Sequence, residues 1–353
     1  MLSTQVDTIT NNGLTWLNIE RPSREVLMEI LGKHYHFHEL NLEDCLSKIQ
    51  IPKIDRYSDH IFVILQFPTT SRSSLPSSTI ITTKNTAKKD SPTTLRVSQL
   101  SVFMGRNFLV TVHQGDLQPL NELFQLCKKE SDSNSSSSQK DELMGKSSGY
   151  LFHTIIDTLV DDLLHRLMKI VGNLQDIEDA VFDNKVGVVK EISLLRREIT
   201  TLRRIVFPLK RIVSEITNRD IQRFSEEDLT KYFNDVEDHI NKVLEVLESS
   251  NETIEIYKDT DFMLSTEKTN QTLAILTIVF TLSIPATVIG TFYGMNVNIP
   301  GGLETGQWTF FGTYTTLIIV LIISATFALL MYWYFRKVGW ITGSSININS
   351  NRR

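Results

Sequence analysis

Asn296 is the residue best placed to do chemistry in this chain, because it closes the run Tyr293-Gly294-Met295-Asn296 where a long uncharged stretch gives way to a short polar loop. Its carboxamide is neutral and offers a carbonyl oxygen as acceptor. Gly294 lets the backbone leave helical geometry and approach a neighbour closely. Repeated around an axis, such residues make a ring of oxygens with backbone carbonyls below it. A small hard cation that gives up its water reluctantly is better served by such a ring, through its hydration shell, than by a cage of direct ligands. The adjoining helix has no charge, so selection would rest on acceptor geometry and ring size. Gly294, Met295 and Asn296 are the candidate filter.

The elements that must position this ring are membrane helices. No charged residue occurs from Asn270 to Leu303 or from Thr305 to Phe335, and each stretch exceeds the roughly 20 residues a helix needs to cross a hydrocarbon core. We expect a first span over residues 270–296, an outer loop over 297–307, a second span over 308–335 and a basic tail over 336–353. Lys268 precedes the first span, Arg336, Lys337, Arg352 and Arg353 follow the second, and the loop carries only Glu304. That asymmetry puts both termini in the cytoplasm. Trp308, Tyr332, Trp333, Tyr334 and Trp340 fit the two interfacial belts.

Ahead of the membrane the chain reads as an α/β domain over residues 1–149, with strands at Leu14–Ile19, His60–Phe67, Leu95–Met104 and Asn107–His113 and a helix after Ser23. The amino terminus is polar through Asn12, with no apolar targeting core. Ser-, Thr- and Lys-rich inserts at about 69–94 and 128–148 read as surface loops. Residues 150–225 form a helical pair, Tyr150–Asp183 and Val188–Asn218. Acidic residues at Asp176, Glu178, Asp179 and Asp183 on one helix and Arg196, Arg197, Arg203 and Arg204 on the other suggest antiparallel neighbours.

Residues 226–269 carry a stalk. Phe233, Val236, Ile240, Val243, Leu247, Ile254, Tyr257 and Leu264 recur at steps of three and four, with Ser250 and Asp261 in the two remaining places. That is a heptad seam. Uninterrupted by Pro or Gly from Glu226 to Ile284, the helix can run into the first span as a rod of roughly 100 Å. We expect the seam to build a parallel bundle, hence a symmetric homo-oligomer, and to continue in the membrane as Asn270, Leu273, Thr277, Phe280, Ile284, Thr287 and Thr291. In lipid such polar positions face a bundle interior, although back-bonding or ordinary packing accounts equally well for any one hydroxyl.

The formal charge of −5 over 353 residues, without a dominant basic run, excludes a nucleic-acid partner. Cys45 and Cys127, in the cytosolic part, point to a reduced compartment without disulfides. There is no phosphate loop, nucleophile elbow or Cys/His ligand cluster, so an enzyme is not indicated. His34, His36 and His38 fall near a helix end and do not make a metal site. A membrane scaffold that merely oligomerises is the alternative of another class.

The signature at Tyr293–Asn296, closing the first span, resembles that of the CorA family of divalent metal ion transporters. The likeness extends to Leu40-Asn41-Leu42-Glu43-Asp44, to Pro52-Lys53 through Tyr57, to Asp157-Thr158-Leu159-Val160-Asp161, to Tyr232 through His239, and to Tyr334-Phe335-Arg336-Lys337 with Trp340. The resemblance implies a funnel-shaped homopentamer in the cell membrane that takes up Mg2+, and Co2+ or Ni2+ besides. It implies that carboxylates between subunits bind cytosolic Mg2+ and hold the pore shut. By position these are Asp44 and Asp235, with Glu43 and Asp259 nearby, and Leu276 matches a gate position. Within the same fold, a zinc, cobalt or nickel transporter coupled to protons is the alternative. Ser283-Ile284-Pro285-Ala286-Thr287, Phe280 and the loop over 297–307 depart from common family patterns.

Overall fold

The computed structural model describes residues 4–11, 13–47, 50–71, 94–132, 144, 147–183, 187–295, 310 and 314–338. The chain divides into two units, Met1–Asp259 and Thr260–Arg353.

The first unit is built on a six-stranded mixed sheet in the order β1-β2-β6-β5-β4-β3. Its strands are β1 Gln5–Asn11, β2 Leu14–Glu20, β3 Lys53–Arg56, β4 His60–Ser71, β5 Thr94–Gly105 and β6 Phe108–His113. Only β2 and β6 pair in parallel; the other neighbours are antiparallel. Because side chains alternate across a strand, Leu17, Ile19, Phe62, Ile64, Phe103, Val110 and Val112 all reach one face. There they pack with Leu27, Leu31, Phe37, Leu42 and Cys45. These come from α1 (Arg24–Leu27), the π-turn Met28–Gly32, the stretch that follows it, and α2 (Glu39–Leu46). Trp16 points to the other face and meets Phe124 of α3 (Gln118–Asp132) edge-on, with ring centroids 4.8 Å apart.

The expected strands are present, and β4 is indeed buried, but it lies next to the sheet edge rather than at its centre. Two strands escaped the pattern. In β1 only Ile9 is buried, and β3 is the short polar run Lys-Ile-Asp-Arg; both are edge strands, where burial imposes no full alternation. The two inserts are also shorter than expected. Backbone pairing continues to Ser71↔Thr94, and α3 runs through Asp132; most of what remains of both inserts lies outside the described residues.

Three long helices complete the unit: α4 (Ser148–Phe182), α5 (Val188–Arg219) and α6 (Thr230–Gly294), the last continuing into the second unit. Ser147 caps α4 by accepting from the Tyr150 N–H. The Phe152 ring lies 6.2 Å from Phe233 and the Tyr257 hydroxyl donates to Glu178 at 2.7 Å, so α4 runs parallel to α6. Burial first, and then this bond, pushes the Tyr257 phenol up to about 12. Arg196 pairs with Glu255 at 2.7 Å and Arg203 with Glu248 at 3.3 Å, so α5 runs antiparallel to both. The expected pair is therefore antiparallel, but Arg196 and Arg203 bond to α6 and not to the acidic end of α4. Each set sits two helical turns apart, so antiparallel helices bring them into register.

The seam also behaves differently from expectation. Phe233, Val236, Ile240, Val243, Leu247, Ser250 and Ile254 are all buried within the single chain. The three-helix packing consumes the seam, so it cannot also be the surface through which copies associate. Beyond Ile254 that side opens, and Tyr257 and Leu264 are only partly covered.

In the second unit, α6 ends at Gly294 and α7 spans Thr315–Val338, starting later than expected. Both contain stretches long and apolar enough to cross a membrane, with none of the apolar window buried. Pro285 lies inside α6, as membrane helices tolerate. The loop over 297–307, Trp308 and Trp340 lie outside the described residues.

Arg56 ties the edge strand β3 to the end of α5. It donates to both oxygens of Asp220 at 2.9–3.1 Å and to Glu215 at 2.9 Å, and the Asp220 side chain is only 2% exposed. Arg56→Ala would strand a buried carboxylate and should cost about 3 kcal/mol, read as a lower urea midpoint for unfolding of the first unit. Glu215→Gln, at the exposed partner, should cost less than about 1 kcal/mol.

Candidate functional site

The stretches Asp157–Asp161 and Asp235–His239 each place two polar side chains four residues apart, on one face of a helix. Because α4 and α6 lie side by side, those faces meet. Asp157, Asp161 and His239 each offer a ligand atom, and the three atoms lie within 4.8 Å of one another. Buried His239 Nδ1 has no hydrogen-bond partner among the described residues. Burial raises the Asp157 carboxyl above its usual range, with His153 and His239 pulling it back and Asp161 and Asp235 adding to the rise. Burial likewise lowers His153, whose ring packs against Tyr232 and Phe233 at 5.4 Å. Half-buried Asp157 and His239 with exposed Asp161 bring together two carboxylates that repel each other and an imidazole, a set that fits a divalent cation. The imidazole favours borderline ions such as Co2+, Ni2+ or Zn2+ over Mg2+. This trio is not among the ligands expected from the sequence; the i,i+4 spacing is its signal, but the pairing of two helices remote in sequence is not visible there.

Asp235, one turn before His239, is exposed and close enough to be felt by both His153 and Asp157. Asp44, on α2, has both oxygens engaged: Oδ2 is 2.8 Å from Lys53 Nζ and Oδ1 accepts from Gln50 Nε2 at 3.0 Å. Burial pulls the Lys53 ammonium down, but its bonds to Asp44 and Asp55 outweigh this and leave its pKa above the ordinary lysine value. Glu43 is exposed, and Asp259 is exposed with Lys258 Nζ at 3.8 Å. No hydrogen bond or ion pair among the described residues joins Asp44 to Asp235. The histidines near α2 do backbone work: His38 Nδ1 caps α2 by accepting from the Leu40 N–H, and His34 Nδ1 lies 3.1 Å from the Glu29 carbonyl oxygen.

Along α6, Asn270, Leu273, Leu276, Thr277, Phe280, Ile284, Thr287 and Thr291 are all exposed in the single chain. Thr277 donates to the Leu273 carbonyl at 2.8 Å, Thr287 to Ser283 at 3.0 Å and Thr291 to Thr287 at 2.7 Å. The helix closes at Gly294, with the Met295 N–H donating to the Phe292 carbonyl at 3.2 Å. A Cβ at Gly294 would meet nothing within 4 Å, so crowding in the single chain does not demand glycine there. Asn296 lies outside the described residues.

An α/β unit with carboxylate-rich helices, a long helix whose far end is apolar enough to cross a membrane and a second such apolar helix define a membrane protein. The family model described as "CorA-like Mg2+ transporter protein" matches residues 11–337, and the chain belongs to that family of divalent metal ion transporters, whose members are transporters and channels rather than enzymes. It is 26% identical over 331 residues to the cobalt/magnesium transport protein CorA of Thermotoga maritima, covering 93% of this chain and 83% of that one. It is 27% identical to the putative metal ion transporter YfjQ of Bacillus subtilis, covering 92% and 89%. Its fold matches the complete structure of the CorA magnesium transporter from Methanocaldococcus jannaschii with a TM-score of 0.69 at 18% identity, over 93% of this chain and 91% of that one.

If the trio holds a cation, Co2+ should raise the melting temperature of the purified full-length protein more than equimolar Mg2+. His239→Ala should remove that difference, and Asp157→Asn/Asp161→Asn should remove the response to both ions at this position.

Proposed function

We propose that this chain forms a funnel-shaped homopentamer in the plasma membrane, with both termini cytoplasmic, and conducts hydrated Mg2+, with Co2+ and Ni2+ as further cargo. The observation that carries this reading is the face of α6 left exposed once the seam is buried. Asp238, Glu245, Glu252 and Asp259 recur every seven residues and are exposed; in heptad register they fall opposite the seam. Asn270 comes eleven residues after Asp259, close to three full turns and therefore on the same side. Thr277, Ile284 and Thr291 follow it by sevens, with Leu273, Phe280 and Thr287 beside them. By sequence spacing, the expected pore positions thus fall in step with the acidic positions of the stalk and not with its apolar seam. A helix so divided has its seam against its own chain and its polar side toward an axis. Gly294, Met295 and Asn296 are then the selectivity ring.

Regulation in this reading uses Asp44 of one subunit and Asp235 of the next, with Glu43 and Asp259 nearby. Apposed carboxylates repel until a divalent cation neutralises them, so loss of the ion loosens the interface and opens the pore. Asp157, Asp161 and His239 adjoin Asp235 and extend its reach for metal. The presence of His239 supports a second reading within the same fold, a zinc, cobalt or nickel transporter, with proton coupling. Uptake of Mg2+, Co2+, Ni2+ and Zn2+ into liposomes holding the purified protein separates the two.

Asn296→Ala should reduce uptake to near background while the oligomer stays assembled; an inert scaffold would be indifferent to it. Leu273 and Leu276 lie about one turn and two turns inside Asn270, where apolar rings can exclude water. Replacing both by Ser should leave a leak at cytosolic Mg2+ that closes the wild type. Asp44→Asn/Asp235→Asn should conduct at that same Mg2+ level and lose Mg2+-dependent protection from proteolysis. Unchanged inhibition in that variant would remove these two residues from the mechanism.

A further inference from the structure

We propose that Lys53 is a tethered cation that competes with the regulatory divalent ion for Asp44, and so sets the concentration at which that ion acts. The inference rests on the reading that Asp44 is a ligand for that ion. A carboxylate awaiting a metal would be expected to stand free, yet Asp44 is already paired in the single chain with Lys53 Nζ at 2.8 Å. The contact is held by a frame. The Gln50 side chain donates to Asp44 Oδ1 at 3.0 Å, and the Gln50 N–H donates to Gln99 Oε1 at 2.8 Å. Gln66 donates to the Gln50 carbonyl at 2.8 Å, and Gln99 Nε2 donates to the Asp44 carbonyl at 2.9 Å.

The ammonium also has a second place to go. It lies 2.6 Å from Asp55 Oδ2 and 5.6 Å from the centre of the Phe62 ring. One cation shared by two carboxylates leaves the group one negative charge in excess, enough to attract a divalent ion but not to hold it against a competitor that never diffuses away. When the ion takes Asp44, Lys53 can settle on Asp55, so its charge is not abandoned. A tethered competitor has a fixed local concentration, and the divalent ion prevails only above a threshold. This arrangement senses an abundant ion and ignores traces.

Lys53→Met and Asp55→Asn should act in opposite directions. Removing the ammonium frees Asp44 and lowers the threshold; removing Asp55 confines the ammonium to Asp44 and raises it. The readout is protection of the full-length protein in detergent from endoproteinase Glu-C under conditions where it cleaves after Glu alone, so that positions 44, 53 and 55 are all ignored, titrated with MgCl2. We expect the half-protecting concentration to fall about threefold to fivefold in Lys53→Met and to rise by a similar factor in Asp55→Asn, the scale of a half-exposed ion pair. A lysine that only staples α2 to β3 would lower the melting temperature without Mg2+ and leave the threshold where it was or higher. That result in Lys53→Met, with Asp44→Asn abolishing protection, overturns the competition and leaves Asp44 as a ligand. If Lys53→Met does not fold, Asp55→Asn decides alone: an unmoved or lower threshold overturns the proposal. Wild-type protection in Asp44→Asn overturns both the competition and the reading beneath it.

Discussion

The packing of α6 onto α4 and α5 is the constraint from which the rest follows. A helix has one circumference, and seven positions from Phe233 to Ile254 are committed to the interior of the chain. Each large apolar side chain buried there stabilises the packing by about 1.5–3 kcal/mol, far more than any surface ion pair on the same helices can offset. The seam therefore fixes the rotation of α6 about its own axis. The sides that remain are dictated: Glu248 and Glu255 meet the arginines of α5, Glu178 and Asp157–Asp161 of α4 come beside Tyr257 and His239, and Asp238, Glu245, Glu252 and Asp259 are turned outward.

Charge is distributed to match. Where a carboxylate is deeply buried, as at Asp220, a bidentate arginine compensates it within the chain. Where it is half-buried among like charges, as at Asp157, the folded chain leaves compensation incomplete. Such a group either binds a proton or binds a metal, and a neutral imidazole beside it adds a ligand without adding repulsion. Asp44 is the intermediate case, partly exposed and paired with a lysine, which in the proposed competition a stronger cation would replace. The same physics gives three outcomes according to how much water remains around the carboxylate and whether a partner is tethered nearby.

What the sequence made legible follows from how strongly each environment constrains residue type. The membrane spans were legible because lipid offers backbone and side chains no alternative, and β2, β4, β5 and β6 because buried strands must be apolar. The polar edge strands β1 and β3 are held by backbone pairing that imposes little on side chains, as is the Thr69–Ser71 extension of β4. The seam was legible as a periodicity, but periodicity does not say what covers it; Phe152 of α4, distant in sequence, lies against Phe233 of the seam. The trio Asp157, Asp161 and His239 and the contact of Lys53 with Asp44 needed the same long-range information.

The threonines of the membrane helix illustrate how a local, bland interaction can serve a selective one. Thr277, Thr287 and Thr291 each spend their only hydroxyl proton on a carbonyl of the preceding turn. Such back-bonding is the ordinary fate of Thr in a helix, and taken alone it argues for nothing more. Its consequence is directional: with the proton committed inward, what each hydroxyl presents outward is oxygen lone pairs. The water around a divalent cation points its hydrogens away from the ion, so a wall that only accepts hydrogen bonds matches a hydrated cation and mismatches an anion. Alternating with Phe280 and Ile284, which cannot replace an ion's inner-shell water, these oxygens can support hydration without competing with it. A strong carboxylate in the span would bind the ion directly and hold it. In the proposed pore, its absence from residues 270–303 would let an ion be recognised through its shell and still leave.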